Sequence, residues 1–395
     1  MRVLALENEL TSMRGGQEIS LLDVCRGLAG RGHPITLAYV TSGDLEEEYR
    51  RICQRVVRVR TYSIDRSRTL MSLRDFLGSL WAVRGGRPDV VYANQYQDSL
   101  FAGIARRLHR APFVCHLRLP PPDVMCTQFR LGMSQATRLV AISEQTKRDW
   151  VACGYPPQAI DVVHNGIDPG RYVRRTGRSE LRRALGVPVE GLLVAYAGRL
   201  HPAKGVETLL EGFSLIARKR PSHLVLAGRA AIMPASGGGV RDYLGELRGL
   251  AGRLGIDRAI TWIEHQRDIA SLFSASDVTI VPSLWSEPFG RVVIESMACE
   301  TPVVASRVGG ISDILTGEFA EWTVKPGQPE ELASRALAIA ERSQADPRIG
   351  QRARAHVASF FSLDRMIDGV EHVLLGAVER FGMPSSLAAV PSRPH

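Results

Sequence analysis

Lysine is scarce in this chain: of fifty basic residues only four (Lys147, Lys204, Lys219 and Lys325) are lysine. The arginines look spread along the sequence, so a net charge of +9 reads as composition rather than as a nucleic-acid surface. Long apolar runs are also missing. None approaches the roughly 18 residues that a membrane-crossing helix needs. The opening "MRVLALENEL" has too short an apolar stretch for a secretory leader and reads as a first strand. The six cysteines (25, 53, 115, 126, 153 and 299) form no C-x-x-C and stand beside no histidine pair at zinc spacing. They read as reduced thiols, mostly small core residues, which places the chain in the cytoplasm. No G-x-G-x-x-G follows a strand, which argues against a nicotinamide enzyme.

What is present is alternation. "RVLAL", "PITLAYV", "PDVVYAN", "APFVCHL", "ATRLVAIS" and "AIDVVHNG" are short apolar strands with helical stretches among them. Such strands belong to a parallel sheet covered on both faces. A polar, Arg-rich stretch, "DPGRYVRRTGRSELRRALG", then reads as a linker. The alternation restarts with "GLLVAYAGRL", "SHLVLAGRA", "AITWIEH", "SDVTIVPS" and "TPVVAS". The expected architecture is α/β, with two Rossmann-like domains facing each other across a cleft. Their bounds are 1–170 and 187–363, with a linker at 171–186, a helix at 364–382 returning to the first domain, and a disordered Pro/Ser-rich tail at 383–395. "IMPASGGGVRD" is expected to be a flexible loop.

Four stretches carry chemistry. In "SLWSEPFGRVVIESMACETPVVAS", Glu287 and Glu295 are separated by seven residues where a buried strand passes into an apolar helix. Two glutamates at that spacing ordinarily mark a solvated helix face. Here Pro288 suits a first helical position, and the backbone N–H groups near Phe289, Gly290 and Arg291 then form an anion site. One carboxylate lies before that site and the other deeper in the helix, so both could hold hydroxyls flanking a diphosphate. In "AYAGRLHPAKGVETLLEGF", Gly198-Arg199 and Lys204-Gly205 form a second anion device, with two cations able to converge on one diphosphate. "MRGGQE" offers Gly15 and Gly16, whose backbone a phosphate or sugar can approach closely. His116 ends a strand in "FVCHLRLPPP", and Asn165, Gly166 and Asp168 read as a hinge turn.

From "GGQE" through "HNGID", "GRLHPAKG" and "SEPFGRVVIESMACETPVVAS" to "VGG", the chain resembles retaining GT-B glycosyltransferases of glycosyltransferase family four. The resemblance implies a nucleotide-sugar donor as co-substrate, read as a UDP-sugar, with no other cofactor and no metal. It implies that Arg199 and Lys204 neutralise the diphosphate, Glu287 holds the 3- or 4-hydroxyl of the donor sugar and Glu295 grips the ribose. Phe289, Gly290 and Arg291 supply donors, Gly15 and Gly16 approach the donor phosphates, and His116 contacts the donor sugar. Three stretches depart from the family pattern. Glu264, His265 and Gln266 replace the usual glycine beside the nucleobase, which leaves uridine, guanosine or another base open. "LVLAGRA" keeps Gly228 but adds Arg229, and "RLPPPDVMCTQFR" inserts a rigid loop after His116.

The acceptor classes are a sugar, a glycan, a lipid-linked or polysaccharide intermediate, or a cationic aminocyclitol of antibiotic biosynthesis. The last would seek Glu7, Glu9, Asp98 or Asp123. No nucleic-acid partner and at most a peripheral membrane contact are expected. The alternatives are a GT-B-shaped sugar-nucleotide epimerase and a non-enzymatic basic binding module.

Overall fold

The computed structural model describes residues 1–13, 15–234, 239–264, 266 and 268–381. The expected tail at 383–395, His265 and the stretch 235–238 of the glycine-rich loop lie outside the described residues. The chain divides into two units, one of Met1–Gly166 with the segment from Leu363 onward, the other of Ile167–Ser362.

The first unit carries β1 (Val3–Glu9), β2 (Ile35–Thr41), β3 (Arg55–Arg58), β4 (Val90–Ala93), β5 (Phe113–Leu117), β6 (Arg138–Ala141) and β7 (Ile160–Val162). They form one parallel sheet in the order β3-β2-β1-β4-β5-β6-β7. Alternation along β1 sends Leu4 and Leu6 to one core layer and Val3 and Ala5 to the other. The first layer includes Phe76, Leu80 and Val83 from the helix Thr69–Val83. The second takes Met366, Ile367, Val370 and Leu374 from the helix Leu363–Glu379. Each such apolar side chain contributes roughly 1.5–3 kcal/mol on burial. The last helix therefore returns to the first sheet, as the sequence predicts. Ion pairs from Arg31 to Asp368 (2.6 Å) and Glu371 (2.5 Å) fix its register.

The second unit carries β8 (Leu192–Ala197), β9 (Ser222–Ala227), β10 (Ile260–Ile263), β11 (Val278–Val281), β12 (Val303–Ser306) and β13 (Thr323–Val324). They too form a parallel sheet, ordered β10-β9-β8-β11-β12-β13. In each unit the strand order reverses beside its first strand, between β1 and β4 and between β8 and β11. Ligands of open α/β sheets bind at such points, outside the strands' carboxyl ends.

The stretch expected as a linker is not one. It contains the helix Arg178–Ala184, with Leu181 and Leu185 packed on the core of the second unit. Buried Arg182 donates to Asp277 Oδ2 (2.8 Å) and to the carbonyls of Ala275, Val189 and Gly191. Asp277 also accepts from the Leu193 N–H (2.7 Å) and pairs with Arg178. A polar, Arg-rich composition hid this helix because its arginines satisfy buried carbonyls instead of water. Replacing Asp277 with Ala should leave the Arg182 cation buried without its counter-ion. The Asp277→Ala variant is expected to lose about 3–5 kcal/mol in denaturant unfolding of this unit, whereas an exposed ion pair such as Arg51–Glu47 should cost under about 1 kcal/mol.

Candidate functional site

The reversal point of the second unit is built from two loops. After β8, Pro202 opens a short turn, Pro202–Lys204, in which His201 Nδ1 accepts from the Ala203 N–H (3.1 Å). Gly205 follows with φ 67° and begins the helix Val206–Ala217. A Cβ there would lie 2.0 Å from the Pro282 carbonyl oxygen, so only glycine lets this turn press against the end of β11. The Leu284 N–H then donates to the Ala203 carbonyl (2.9 Å) and ties the two loops together.

This contact brings the two sequence motifs into one site. Lys204 Nζ donates to Glu287 Oε2 at 2.5 Å, and Ser283 Oγ lies 3.2 Å from the same oxygen. The Trp285 ring centre is 5.6 Å from Nζ. From the far side, Gly309 (φ 56°) allows a backbone approach in which a Cβ would sit 2.0 Å from the Glu287 carbonyl. The Gly310 N–H donates to that carbonyl (2.8 Å). Glu287 is thus held through its backbone, with its carboxylate aimed at the lysine.

Arg199 is exposed on the same β8 loop, and its carbonyl accepts from the Tyr196 hydroxyl (2.8 Å). Gly228 abuts the Gly198 carbonyl, and the Leu200 N–H donates to the Arg229 carbonyl (2.8 Å), which sets exposed Arg229 on the loop beside Arg199. The field of this cluster registers at His201. Burial first, then the Arg199 and Lys204 cations, hold its imidazole below the usual range, so it stays neutral. Gln266 is half-buried in the loop after β10.

The helix bearing Glu295 runs Arg291–Ala298 with Gly290 as its N-cap, so Pro288 lies before the helix and not in its first turn as expected. The Phe289 ring is buried edge-on to Phe361 (5.9 Å between centres), which leaves only its backbone to a ligand. Glu295 lies about 7 Å along the axis from the cap at 1.5 Å per residue. Its Oε1 accepts from the Tyr172 hydroxyl (3.1 Å) and from Arg291 Nε (3.2 Å). Burial, then the Glu295 charge, raises Tyr172 far above the ordinary phenol range, so it remains a donor. Arg354 fixes Tyr172 in turn by donating to the carbonyls of Pro169, Tyr172 and Ala298. Tyr172 is a partner that sequence reasoning missed, because it lies in the supposed linker.

At the reversal point of the first unit, Gly15 caps the helix Gly16–Gly30, and Gly16 starts it. Asn94, just past β4, donates to Glu7 Oε2 (2.7 Å), while Arg118 Nε donates to Asn94 Oδ1 (2.9 Å) and Nη1 to Asn165 Oδ1 (2.6 Å). Gln17 donates to Gln95 (2.9 Å), and Gln95 to Asp98 (3.3 Å). Glu7, Asn94, Asp98, Arg118 and Asn165 are all buried. Neither Asn94 nor Arg118 was singled out from the sequence; a lone Arg between leucines near a strand end was the available signal. Asn165 serves this network in addition to its turn.

One expectation is corrected here. Burial, then the Asp98 and Glu18 charges, pushes Glu7 up to about 8, and burial pushes Asp98 up to about 7. Glu7 is therefore mostly protonated at neutral pH and already bonded, not an anion waiting for an amino group. Glu9 is half-buried and Asp123 exposed. His116 is fully buried, Nδ1 on the Tyr92 hydroxyl (2.5 Å), and burial followed by the Arg118 charge keeps it neutral. Its Nε2 finds no hydrogen-bond partner among the described residues. Among the described residues no group of three His, Cys, Asp or Glu is arranged to hold a metal ion.

Residues 14–171 match the family model described as Glycosyltransferase Family 4, and residues 177–356 that described as Glycosyl transferases group 1. The chain is 32% identical over 255 residues to D-inositol 3-phosphate glycosyltransferase of Saccharomonospora viridis, covering 63% of this chain and 58% of the relative. It is 34% identical over 259 residues to the protein of that name from Mycobacterium tuberculosis, covering 64% and 51%. The chain thus spans little more than half the length of these relatives. Anabaena HepE, solved with UDP and glucose, superposes with a TM-score of 0.80 at 25% identity, covering 95% of this chain and 99% of HepE. A glycosyltransferase from Rickettsia africae shares the fold, with a TM-score of 0.81 at 18% identity over 96% of this chain and 98% of that one.

The raised carboxyls fix a pH dependence. A carboxyl with a higher pKa folded than unfolded makes the native state bind the extra proton, so stability falls as pH rises from about 4.5 towards 8. Each carboxyl contributes up to roughly 1.4 kcal/mol per pH unit in that window. Unfolding free energies measured from pH 5 to 8 are expected to decline in the wild type and to decline less in Glu7→Gln.

Proposed function

The chain belongs to the GT-B glycosyltransferases of family four, and from that premise we propose that it transfers a sugar from a UDP-sugar to an acceptor hydroxyl, with retention and without a metal. The observation that carries the reading is the Lys204–Glu287 pair at the reversal point of the second sheet. A cation and an anion at bonding distance, beside exposed Arg199, are the two halves of a diphosphate-sugar site. The donor diphosphate takes Lys204 and Arg199, as charge-assisted partners of its oxygens. Glu287, released from the lysine, accepts a hydroxyl of the sugar, and Glu295, oriented by Tyr172 and Arg291, accepts from the ribose.

In the reaction the bond from the anomeric carbon to the diphosphate oxygen breaks, and the acceptor oxygen bonds to that carbon on the same face. The acceptor proton passes to the departing diphosphate. Negative charge grows on the leaving group, so Lys204 and Arg199 stabilise the transition state more than the ground state. Backbone donors near Gly290 and Arg291 belong to the same phosphate-binding role, with Gly198, Gly228 and Gln266 lining the donor. His116, held at Nδ1 by Tyr92 and with Nε2 unpartnered among the described residues, keeps its place as the candidate sugar contact. Uridine as the base is favoured by HepE, solved with UDP-glucose. A phosphorylated polyol acceptor, in keeping with the inositol phosphate in the relatives' names, suits the net charge of +9 better than a cationic aminocyclitol does. Burial of Glu7 and Asp98 supports the same choice.

Calorimetry of UDP, GDP and ADP in EDTA tests this reading. UDP is expected to bind, and Lys204→Ala to weaken it by about tenfold to a hundredfold, the value of one charge-assisted bond. Glu295→Gln should also weaken UDP. Glu287→Gln should leave UDP bound but abolish the extra affinity of UDP-glucose. Binding that needs added magnesium, or that ignores Lys204→Ala, would overturn the proposal. UDP release that depends on an acceptor separates transfer from epimerisation.

A further inference from the structure

The helix Thr69–Val83 has an apolar arc wider than its core contact covers, where a surface helix ordinarily buries its apolar stripe. Phe76, Leu80 and Val83 enter the core of the first unit. About 110° further round the helix Leu70 is 86% exposed, Leu77 55% and Trp81 64%, with Leu73 between them and the core side. At 100° per residue, positions 70, 77 and 81 fall within an arc of about 40°, so they form one continuous ridge. Arg74 and Arg84 flank that ridge, and the Arg84 guanidinium stacks 3.0 Å above the Trp81 ring.

The charge around the ridge is one-sided. Residues 55–87 hold eight arginines against two aspartates, a net +6 out of +9 for the chain. The arginines themselves are spread along the sequence, but here few carboxylates offset them, so much of the net positive charge falls on β3, the loop after it and this helix. Of the two aspartates, Asp75 is paired with Arg60 (2.6 Å) and Asp65 caps its own turn by accepting from the Ser67 N–H. β3 is the outermost strand of its sheet, so the helix that follows it lies towards the sheet's edge. Its first turn lies at the end of the sheet where β1 and β5 finish, the end that carries Glu7 and His116.

We propose that the outer face of this helix docks the protein on an anionic lipid surface. Leucine and tryptophan side chains enter the interface between headgroups and acyl chains, and the flanking arginines meet the lipid phosphates while their stems stay among apolar groups. A second copy of the chain is disfavoured, since it would bring +6 against +6. A soluble polyanion would pair with the arginines but leave the leucine–tryptophan ridge in water. Among the described residues no helix is long and apolar enough to cross a membrane, so the contact is peripheral.

Flotation of the full chain with vesicles tests the proposal, and it requires neither donor nor acceptor, so its outcome is independent of the catalytic reading. The chain should float with phosphatidylcholine vesicles containing a third phosphatidylglycerol, not with phosphatidylcholine alone, and high salt should weaken the association. Arg74→Glu/Arg84→Glu and, separately, Leu77→Ser/Trp81→Ser should each reduce binding by about tenfold or more. Both pairs are exposed, so their melting temperatures should match the wild type. Should either pair fail to fold, the other pair and the wild-type lipid and salt dependence decide the matter. No flotation with the anionic vesicles, or equal flotation of the variants, would overturn the proposal. So would retention on heparin without vesicle binding, or a wild-type dimer dissolved by Leu77→Ser/Trp81→Ser.

Discussion

In a parallel sheet every strand is re-entered from the same end, so all the loops that leave the strands collect at the other. Where the strand order reverses, two of those loops run away from each other and leave a crevice. Both units of this protein obey that constraint, and nearly every polar feature described here follows from it. In the second unit the loops after β8 and β11 meet at the reversal and join Lys204 to Glu287. In the first, the end of β1 and the loop after β4 lie side by side at theirs and join Glu7 to Asn94.

The two crevices have opposite electrostatic character. In the second unit a cation and a carboxylate face each other near exposed arginines, and the pair is open to exchange for the charges of a ligand. In the first, Glu7, Asn94, Arg118 and Asn165 form a chain of hydrogen bonds out of contact with water. Burial without a full counter-charge raises the carboxyls and ties their protonation to folding. The same residue type at the end of a first strand or in a strand-end loop therefore does two jobs, according to whether solvent and a cation can reach it.

The turns of the candidate site were legible in sequence because glycine and proline act locally. Gly205, Gly290 and Gly309 mark backbone turns that other residues resist, and they bracket Lys204 and Glu287. Other features were not legible. β3, read as "RVVR", has too little apolar content to register as a strand, and β13 is two residues long. Pro288 suits a helix start, but the chain makes one more turn before the helix begins at Arg291. The helix Arg178–Ala184 resembles a linker because its arginines look solvated in one dimension and are partly buried in three.

The sequence by itself determined the class of fold, the two-part organisation and the loops that form the candidate site. Those depend on periodicity and backbone preference, which act over a few residues. Only the tertiary structure decided which charges are paired, which carboxyls keep a proton, that Tyr172 orients Glu295, and that one helix shows leucine and tryptophan to the outside. Ionisation, hydrogen-bond partners and exposure are set by neighbours distant in sequence: 83 residues separate Lys204 from Glu287, 123 separate Tyr172 from Glu295, and 87 separate Glu7 from Asn94. No local pattern encodes a dielectric environment assembled from such distances.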